Sequence, residues 1–451
     1  TGNNWFYQDE NGQSHEVMPF CRAPYSFAGW RDAHGRCVSQ MSTMDDGVWP
    51  EELQTPTWYT RNGCREMNHD PGATELHRES GDLADLKELD LQRRDTLDAM
   101  TRLWCYWVVQ SNCDGFRIDT LSPLTPGTAR HFSQEIRHFA GSLGKEEFLL
   151  LGEGCQEPGA PIGTSPETLE LTDAVLDNGE LVENLDGLLL GKVHPQRFFT
   201  MFDNPAHAPG SSGSGRFRVM FLDHRDLASA SVASREERYR RLALAEGILL
   251  TVPCLPALHF GAEQALIRGG SGVPGFGSAR GGADRFQREA MFGGPFGPFE
   301  TEGCHFFDPS HPTYQRIGTI GRLRSGGDSI GLALRRGQFF PRETSVLQGP
   351  FMVHNSGELI AWSRLFRNQE VLMVINTHTH HVRGAEVTID AGLHPAGTTV
   401  RYLYRSDWSP DALRNISQAT QSDQVLEHVL DRLGRSVVHV SLPPSGMAIL
   451  A

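Results

Sequence analysis

The stretch D-G-F-R-I-D, at 114–119, constrains the fold of this chain more than any other feature. After the turn pair Asp-Gly, large apolar and charged residues alternate, which predicts a short β-strand with Arg117 and Asp119 on the same face. A cation two residues from a carboxylate can hold that carboxylate ionised and aimed. A polar pair at the C-terminal end of an apolar strand is typical of the catalytic end of a parallel α/β barrel. The alternative interpretation is a surface strand with an incidental ion pair.

The residues around this strand alternate between helical and extended patterns. Apolar residues at three- and four-residue spacing predict an amphipathic helix over 93–111, and a second helical pattern covers about 127–142. The apolar run at 147–153 ends in Glu153 and is typical of a strand buried on both faces. An order of helix, strand, helix, strand, with a carboxylate at the end of each strand, predicts parallel strands.

The same alternation continues towards residue 263. The predicted elements are an uncertain strand at 173–177, strands at 216–223 and 256–263, and a helix over about 234–249. The interval from Glu153 to Asp226 fits about two strand–helix units, so the three carboxylates Asp119, Glu153 and Asp226 fall at the ends of barrel strands. We therefore expect all three to point into the same mouth of a barrel.

The two ends of the chain differ from this alternating middle. Residues 1–85 show no sustained period and are rich in Trp, Tyr, Asn, Gly and Pro, which predicts an irregular subdomain. Over 341–451, short strands separated by turns predict an antiparallel β-sandwich. Residues 86–340 then form the barrel portion, in which the Gly- and Pro-rich stretch at 268–300 is predicted to be a long loop over the mouth.

The net charge and composition of the chain argue against a nucleic-acid-binding protein and a membrane protein. The formal net charge of −14 argues against a nucleic-acid surface, and no apolar run reaches about 18 residues, so no membrane span is expected. The eight cysteines lack C-x-x-C spacing, and no metal ligand is predicted. Exposed aromatic side chains suit sugar rings, whereas buried ones form a core. Both interpretations stay open for Trp5, Trp30 and Trp58.

The motifs D-G-F-R-I-D, L-G-E-G and F-L-D-H-R-D, in this order and spacing, resemble those of the α-amylase superfamily of retaining glycoside hydrolases and transglycosylases, glycoside hydrolase family 13. The stretch V-P-C-L-P-A-L-H-F-G-A-E-Q is similar to the last barrel strand of that family, and the C-terminal strands resemble its C domain. The resemblance implies an α/β fold. A partial (β/α)8 TIM barrel, with about strands 4–8 present, would carry an irregular B-type subdomain and a C-terminal antiparallel β-sandwich.

The resemblance also implies a role for individual residues. The matching positions are Asp119 as nucleophile, Glu153 as general acid/base, Asp226 as the carboxylate that stabilises the transition state, Arg117 as the arginine that orients the nucleophile, and His224 and Arg225 as substrate-binding residues. Cleavage of an acetal bond with retention requires one protonated carboxylic acid and one ionised carboxylate about 5–5.5 Å apart. Because crowded carboxylates disfavour ionising together, we expect Glu153 to hold the proton and Arg117 to keep Asp119 ionised.

The chain departs from the family pattern in three places. Before the last aspartate the family usually has Asn-His, where this chain has His224-Arg225, and after the nucleophile many members have Lys-His, where this chain has Ser122-Pro123. The family's first motif, expected just before residues resembling N-N-W-F-Y, has no counterpart in the sequence. We therefore expect a family member truncated at its N-terminus, whose 451 residues are inactive by themselves.

The predicted function is retaining hydrolysis of α-glucosidic bonds, of the α-amylase type, in carbohydrate metabolism. Two alternatives stay open. One is a sucrose- or maltose-converting transglycosylase of the same family, and the other is a catalytically silent carbohydrate-binding homologue. The implied partner is an α-glucan, an oligosaccharide or a sucrose-like sugar, with no nucleic acid and no membrane. No cofactor is certain, Ca²⁺ is left open as one, and the sequence gives no localisation.

Overall fold

The computed structural model describes the chain in segments. The described residues are 5–9, 11–15, 25–31, 36–38, 50–60, 87–119, 124–153, 171–176, 179–203, 217–222, 235–265, 291, 306–395, 397–414, 425–427, 429–430 and 434–451. The chain divides into two compact units, Thr1–Leu176 and Asp177–Ala451, which are described separately below.

The first unit begins with a small antiparallel sheet. Its strands are β1 (Trp5–Asp9), β2 (Ser14–His15), β3 (Tyr25–Arg31) and β4 (Cys37–Val38), in the order β2-β1-β3-β4, and 3₁₀ turns follow at Glu51–Gln54 and Pro56–Trp58. The sequence predicted only an irregular subdomain here, because strands of two to seven residues are too short to show a period of two.

Aromatic residues form a satellite core in this part of the chain. Trp30 is fully buried, donates a hydrogen bond of 3.1 Å from Nε1 to the carbonyl of Gln54, and meets the ring of Tyr59 edge-on at 5.7 Å. Trp58 is buried as well. The core interpretation is therefore confirmed for Trp30 and Trp58, while the side chain of Trp5 lies outside the described part.

The rest of the first unit alternates helices and parallel strands. Its elements are α1 (Arg94–Ser111), β5 (Gly115–Ile118), α2 (Pro126–Ser142), β6 (Leu149–Glu153) and β7 (Ala174–Leu176). Helix α1 ends where Asn112 adopts a left-handed conformation, with φ 52°. Helix α2 begins after Thr125, whose side chain accepts a hydrogen bond of 3.3 Å from the backbone N–H of Thr128. These elements confirm the predicted order and the predicted parallel pairing.

A compact apolar cluster fixes this part of the first unit. Its fully buried members are Val108 on α1, Ile136 and Ala140 on α2, and Leu150 on β6, with Phe148 close beside them. On α2 the spacing of four residues between Ile136 and Ala140 places both on one face, as the amphipathic pattern predicts. The cluster holds both helices against β6, the strand that ends in Glu153.

The second unit begins with further helices and a parallel pair of strands. Its first elements are α3 (Gly179–Leu189), α4 (Pro195–Asp203), β8 (Phe217–Met220), α5 (Arg235–Leu249), β9 (Leu255–Pro256) and a 3₁₀ turn at Ala262–Gln264. Strand β8 pairs in parallel with β9. The strand predicted at 256–263 is wrong in length: it ends at Pro256, and Gly261 at φ +80° starts the turn instead. The stretch 268–300, apart from residue 291, lies outside the described residues.

The second unit continues through two helices into two antiparallel sheets. The elements are α6 (Pro312–Ser325), α7 (Ser329–Arg336), β10 (Gln338–Arg342), β11 (Thr344–Ser345), β12 (Leu359–Phe366), β13 (Gln369–Asn376), β14 (Arg383–Thr388), β15 (Thr399–Arg405), α8 (Pro410–Arg414), β16 (Val425–Glu427), β17 (Val429–Leu430), β18 (Ser436–Leu442) and β19 (Met447–Leu450). The sheet orders are β10-β12-β13-β19-β15-β16 and β11-β14-β18-β17. The predicted antiparallel β-sandwich is therefore confirmed.

Alternate residues of β12 pack into two different apolar cores. Leu359 and Ala361 pack with the second sheet, whereas Ile360 and Trp362 pack with the core that contains helices α3 to α7. This division follows from the period of two in a strand. Because β12 is buried on both faces, its sequence is a nearly continuous apolar run.

Two buried arginines cap the C-terminal end of α5. Arg324 Nη1 donates to the carbonyl of Leu250 at 2.8 Å, and Arg364 Nη1 donates to the carbonyl of Thr251 at 2.9 Å. Burial lowers the pKa of Arg364 to about 9. Cations suit this position because the last carbonyls of a helix carry partial negative charge. Among the described helices, none is long and apolar enough to cross a membrane.

Candidate active site

The register between β5 and β6 brings two of the predicted carboxylates to neighbouring positions. The parallel pairing runs from Gly115 opposite Leu149 to Ile118 opposite Gly152, so Asp119 and Glu153 each occupy the next position on adjacent strands. Residues in register on adjacent parallel strands point to the same face. A β-carbon on Gly115 would lie 2.6 Å from the carbonyl oxygen of Leu149, so glycine allows this close approach of the two strands.

Arg117 contacts both carboxylates. One guanidinium nitrogen, Nη2, donates a hydrogen bond to Glu153 Oε2 and lies 3.9 Å from Asp119 Oδ1. The motif alone predicted Asp119 as the main partner of Arg117. The structure gives the closer contact to Glu153, because the long arginine side chain crosses to the neighbouring strand. Arg117 therefore positions the pair of carboxylates rather than Asp119 alone.

The two carboxylates differ in exposure. The side chain of Asp119 is 75% exposed, whereas that of Glu153 is 28% exposed. Burial is the largest cause that raises the pKa of Glu153, and a hydrogen bond with Asp119 raises it further, while the charge of Arg117 acts in the opposite direction. The net effect is a raised pKa, which favours the protonated form of Glu153. A carboxyl group of raised pKa thus lies beside a second one that is open to solvent.

Residues that the sequence analysis did not select hold β6 in place. Asp173, just before β7, accepts a hydrogen bond from the backbone N–H of Leu150 at 2.7 Å and one from Arg137 Nη2 on α2 at 2.9 Å. Asp173 thus ties β6 to the helix that precedes it, three residues before Glu153. In the sequence, Asp173 is marked only by its position at the start of the D-A-V-L-D stretch. Its partners, Arg137 and Leu150, are distant in sequence, so no local pattern predicts the contacts.

The third predicted carboxylate lies in a part of the chain that the structure does not describe. Asp226 and its neighbours His224 and Arg225 lie outside the described residues, so their roles stay predictions. The described chain does show the strand ends next to them. Phe221, directly after β8, faces the ring of His259, just after β9, with centroids 5.9 Å apart and an interplanar angle of 31°.

Among the described residues, no group of three or more His, Cys, Asp or Glu side chains is arranged to hold a metal ion. Whether the protein binds Ca²⁺ therefore stays open, as it did from the sequence. The chemistry available in the described part is that of two carboxyl groups and one guanidinium.

Comparison with known proteins gives remote relatives. No protein-family model matches the sequence. The chain is similar to an α-amylase from Streptomyces lividans, with 21% identity over 344 residues that cover 68% of this chain and 34% of that protein. It is also similar to a cyclomaltodextrin glucanotransferase from Klebsiella oxytoca, with 23% identity over 326 residues that cover 63% of this chain and 44% of that protein. The chain spans less than half the length of either curated relative.

The fold is similar to that of a solved α-amylase from Geobacillus thermoleovorans, whose structure is a complex with acarbose. The two chains align with a TM-score of 0.55 and 16% identity, over 84% of this chain and 68% of that one. This likeness confirms the predicted fold, a partial TIM barrel with a C-terminal β-sandwich. The named relatives, together with the motifs that end β5 and β6, support the predicted resemblance of this chain to the catalytic domain of the α-amylase family.

Proposed function

We propose that the protein containing this chain is a retaining glycoside hydrolase that acts on α-glucosidic bonds. The observation that supports this proposal most strongly is the pair formed by Glu153 and Asp119, in which Glu153 has a raised pKa and Arg117 contacts both side chains. Retaining hydrolysis needs this division into one acid and one nucleophilic carboxylate.

In the proposed reaction, Asp119 attacks the anomeric carbon while the bond from that carbon to the leaving oxygen breaks. The protonated Glu153 gives its proton to the leaving oxygen, and a covalent glycosyl–Asp119 ester forms. Water then attacks the anomeric carbon, returns one proton to Glu153 as its hydroxyl is transferred, and releases Asp119. Asp226 would stabilise the charge that develops in both transition states.

The substrate class proposed is an α-glucan or its oligosaccharides. The names of the relatives, α-amylase and cyclomaltodextrin glucanotransferase, support this class, as does the acarbose bound to the similar solved structure. The glucanotransferase relative also favours a second candidate, in which a sugar hydroxyl replaces water in the second step. Analysis of the products separates hydrolysis from transfer, because only transfer makes chains longer than the substrate.

A silent carbohydrate-binding homologue is the less favoured alternative. A site that only binds sugar has no need for a carboxyl group of raised pKa beside a second carboxyl group, whereas acid–base catalysis does. The expectation that residues 1–451 are inactive alone stays a prediction. Tests of turnover therefore use residues 1–451 and, where these lack turnover, a longer protein that contains them.

The deciding experiment follows the hydrolysis of maltoheptaose by ¹H NMR in the first minutes. The proposal predicts that the α-anomer of the new reducing end appears first and then mutarotates. First appearance of the β-anomer would show inversion. Absence of turnover in every folded preparation that contains these residues would support the silent homologue.

A further inference from the structure

Asp173 holds Leu150, a residue of β6, by both of the polar backbone groups of Leu150. The backbone N–H of Asp173 donates to the carbonyl of Leu150 at 2.8 Å, and Asp173 Oδ2 accepts from the N–H of Leu150 at 2.7 Å. The other carboxylate oxygen, Oδ1, accepts from Arg137 Nη2 on α2 at 2.9 Å. Asp173 thus extends the pairing of β6 with β7 towards the N-terminal ends of the two strands.

The pairing that Asp173 extends is short. Strand β7 has only three residues, Ala174–Leu176, which lie in parallel opposite Leu151–Glu153. The side chains of β7 are apolar and buried, so they form no hydrogen bond that would fix the position of the strand along β6. A hydrogen bond to a carboxylate is roughly twice as strong as one between neutral groups. The carboxylate of Asp173 is therefore a polar anchor for this pairing.

Of the two contacts of the Asp173 carboxylate, the one with Leu150 carries more weight. The ion pair with Arg137 is open to water, since the two side chains are 43% and 38% exposed, and such pairs contribute little to stability. Leu150, in contrast, is fully buried. A buried N–H that loses its acceptor bears the whole cost of its desolvation. Loss of the acceptor should therefore disturb β6 more than loss of the ion pair.

Strand β6 connects this anchor to the carboxylate pair. Leu150 and Glu153 are both on β6, and because a strand rises about 3.3 Å per residue, they lie roughly 10 Å apart. Burial is the largest cause of the raised pKa of Glu153, and Asp119 and Arg117 are the charged groups that act on this pKa. All of these influences depend on where the end of β6 lies relative to β5. Asp173 therefore acts on Glu153 through the strand rather than by its own charge.

We infer that Asp173 is a positioning residue for the acid/base of the reaction: by holding Leu150 from the side of β7, it fixes the end of β6 that carries Glu153. Asp173 touches neither the substrate nor the reacting atoms. The inference rests on the proposed function, because only that function makes Glu153 the acid/base. A misplacement of about 1 Å can cost about 10²-fold in rate, so the loss of this anchor should be visible in turnover.

The first test uses residues 1–451 and needs no turnover. The pKa of Glu153 is measured by NMR from the ¹³C signal of its carboxyl carbon, which is assigned with Glu153→Gln. We expect Asp173→Ala to lower this pKa towards the ordinary value of a glutamate, because a loosened end of β6 admits water to Glu153. Asp173→Asn keeps an oxygen that accepts from Leu150, so the pKa should stay near that of the wild type, and Arg137→Met should give the same result.

Two further variants separate positioning from stability. Asp98→Ala removes the contacts of Asp98 with Arg94 and with His131 on α2, and it should leave the pKa of Glu153 unchanged even where it lowers stability. Asp173→Glu replaces Asp173→Ala if the latter does not fold. It keeps the charge but moves the carboxylate one bond further from the backbone, so that the carboxylate no longer fits the N–H of Leu150, and the pKa of Glu153 should fall.

Three results of these titrations would overturn the inference. The first is a pKa of Glu153 in Asp173→Ala, or in Asp173→Glu where that variant replaces it, that equals the wild-type value. The second is an equal fall of the pKa in Asp173→Asn or Arg137→Met, which would assign the effect to charge. The third is an equal fall in Asp98→Ala, which would assign it to a general loosening of the chain.

The second test measures kinetics on maltoheptaose in a preparation that has turnover. The kcat of Asp173→Ala should fall by about 10²-fold with little change in KM, and that of Asp173→Asn should fall much less. The alkaline limb of the pH profile of Asp173→Ala should move to lower pH with the pKa of Glu153. An unchanged kcat in Asp173→Ala would contradict the positioning role. Failure of the proposed function would look different, since no preparation would then hydrolyse maltoheptaose while Asp173→Ala still lowers the pKa of Glu153.

Discussion

Replacement of Glu153 by glutamine removes one proton and little else. The amide oxygen still accepts from Arg117, and the amide group still reaches the carboxylate of Asp119, so the contacts that position the pair are kept. Glutamine also has nearly the same size, in a site where the side chain is 28% exposed. The effect of Glu153→Gln on turnover therefore measures the supply of the proton rather than a loss of structure.

The expected loss of turnover in Glu153→Gln follows from the proposed role of Glu153 as general acid and base. General acid–base catalysis contributes roughly 10²–10⁴-fold, which equals about 3–5 kcal/mol of the barrier at about 1.36 kcal/mol per factor of ten. We expect kcat on maltoheptaose to fall by this factor and KM to change little. For α-maltosyl fluoride, whose leaving group needs no proton, the first step should lose much less.

The assay measures kcat and KM for both substrates from pH 4 to pH 9. The protonated form of Glu153 is the active one, so wild-type activity should fall as the pH rises through its raised pKa, and this limb should be absent in Glu153→Gln. The control is Glu147→Gln, the same change at an exposed position just before β6. If Glu153→Gln and Glu147→Gln had the same kcat, Glu153 would have no part in the reaction.

Three further substitutions, one of them with a matching pH dependence of the wild type, test the described contacts. Arg117→Met should move the alkaline limb of the kcat/KM profile to higher pH, because the charge of Arg117 lowers the pKa of Glu153. Glu370→Gln should lower the free energy of unfolding in urea by up to about 3–5 kcal/mol, since it leaves the partly buried Arg342 with only the longer contact of 3.9 Å to Asp390. Burial raises the pKa of Glu370, but a histidine hydrogen bond and the charge of Arg342 outweigh it and hold the pKa below its usual range, so the stability of the wild type should be lost as the pH falls through that value. Gly115→Ala should destabilise the chain and reduce kcat, because the new methyl group meets a backbone carbonyl of β6.

Matched substitutions control for these effects. Glu358→Gln breaks a half-exposed ion pair with Arg383 and should cost only about 0–1 kcal/mol. Gly141→Ala has nothing within 4 Å of its new β-carbon and lies in α2, so it should be neutral or slightly stabilising. Equal effects of Gly115→Ala and Gly141→Ala on unfolding, or a pH profile of Arg117→Met that matches the wild type, would contradict the contacts described above.

The strongly periodic elements could be predicted from sequence within one or two residues. The helix predicted over 93–111 is observed at Arg94–Ser111, and the strand predicted at 147–153 is observed at Leu149–Glu153. Long apolar patterns specify such elements locally. The helices α3 and α4 were not predicted, and the small sheet of β1 to β4 was missed because its strands are short and depend on pairing with distant residues.

Three of the six predicted site residues lie in the described part of the chain, and the sequence did not predict the contacts among them. The motif placed Arg117 and Asp119 on one face, and the structure confirms this position while giving the closer contact of Arg117 to Glu153. That contact depends on the register between β5 and β6, two strands that are separated in sequence by a helix. A local sequence pattern carries no information on this register. The support that Asp173 gives to β6 is of the same kind, since its partners are distant in sequence.

The most direct test of the account is to trap the covalent intermediate on Asp119. In Glu153→Gln, α-maltosyl fluoride can still form the glycosyl ester, but no general base activates water to remove it, so the ester should accumulate. Peptide mass mapping after rapid acid quenching should show one maltosyl group on the peptide that contains Asp119, and none in the double variant Glu153→Gln/Asp119→Asn. A maltosyl group on another residue, or release of fluoride with no labelled peptide, would contradict the assignment of Asp119 as nucleophile and Glu153 as acid/base.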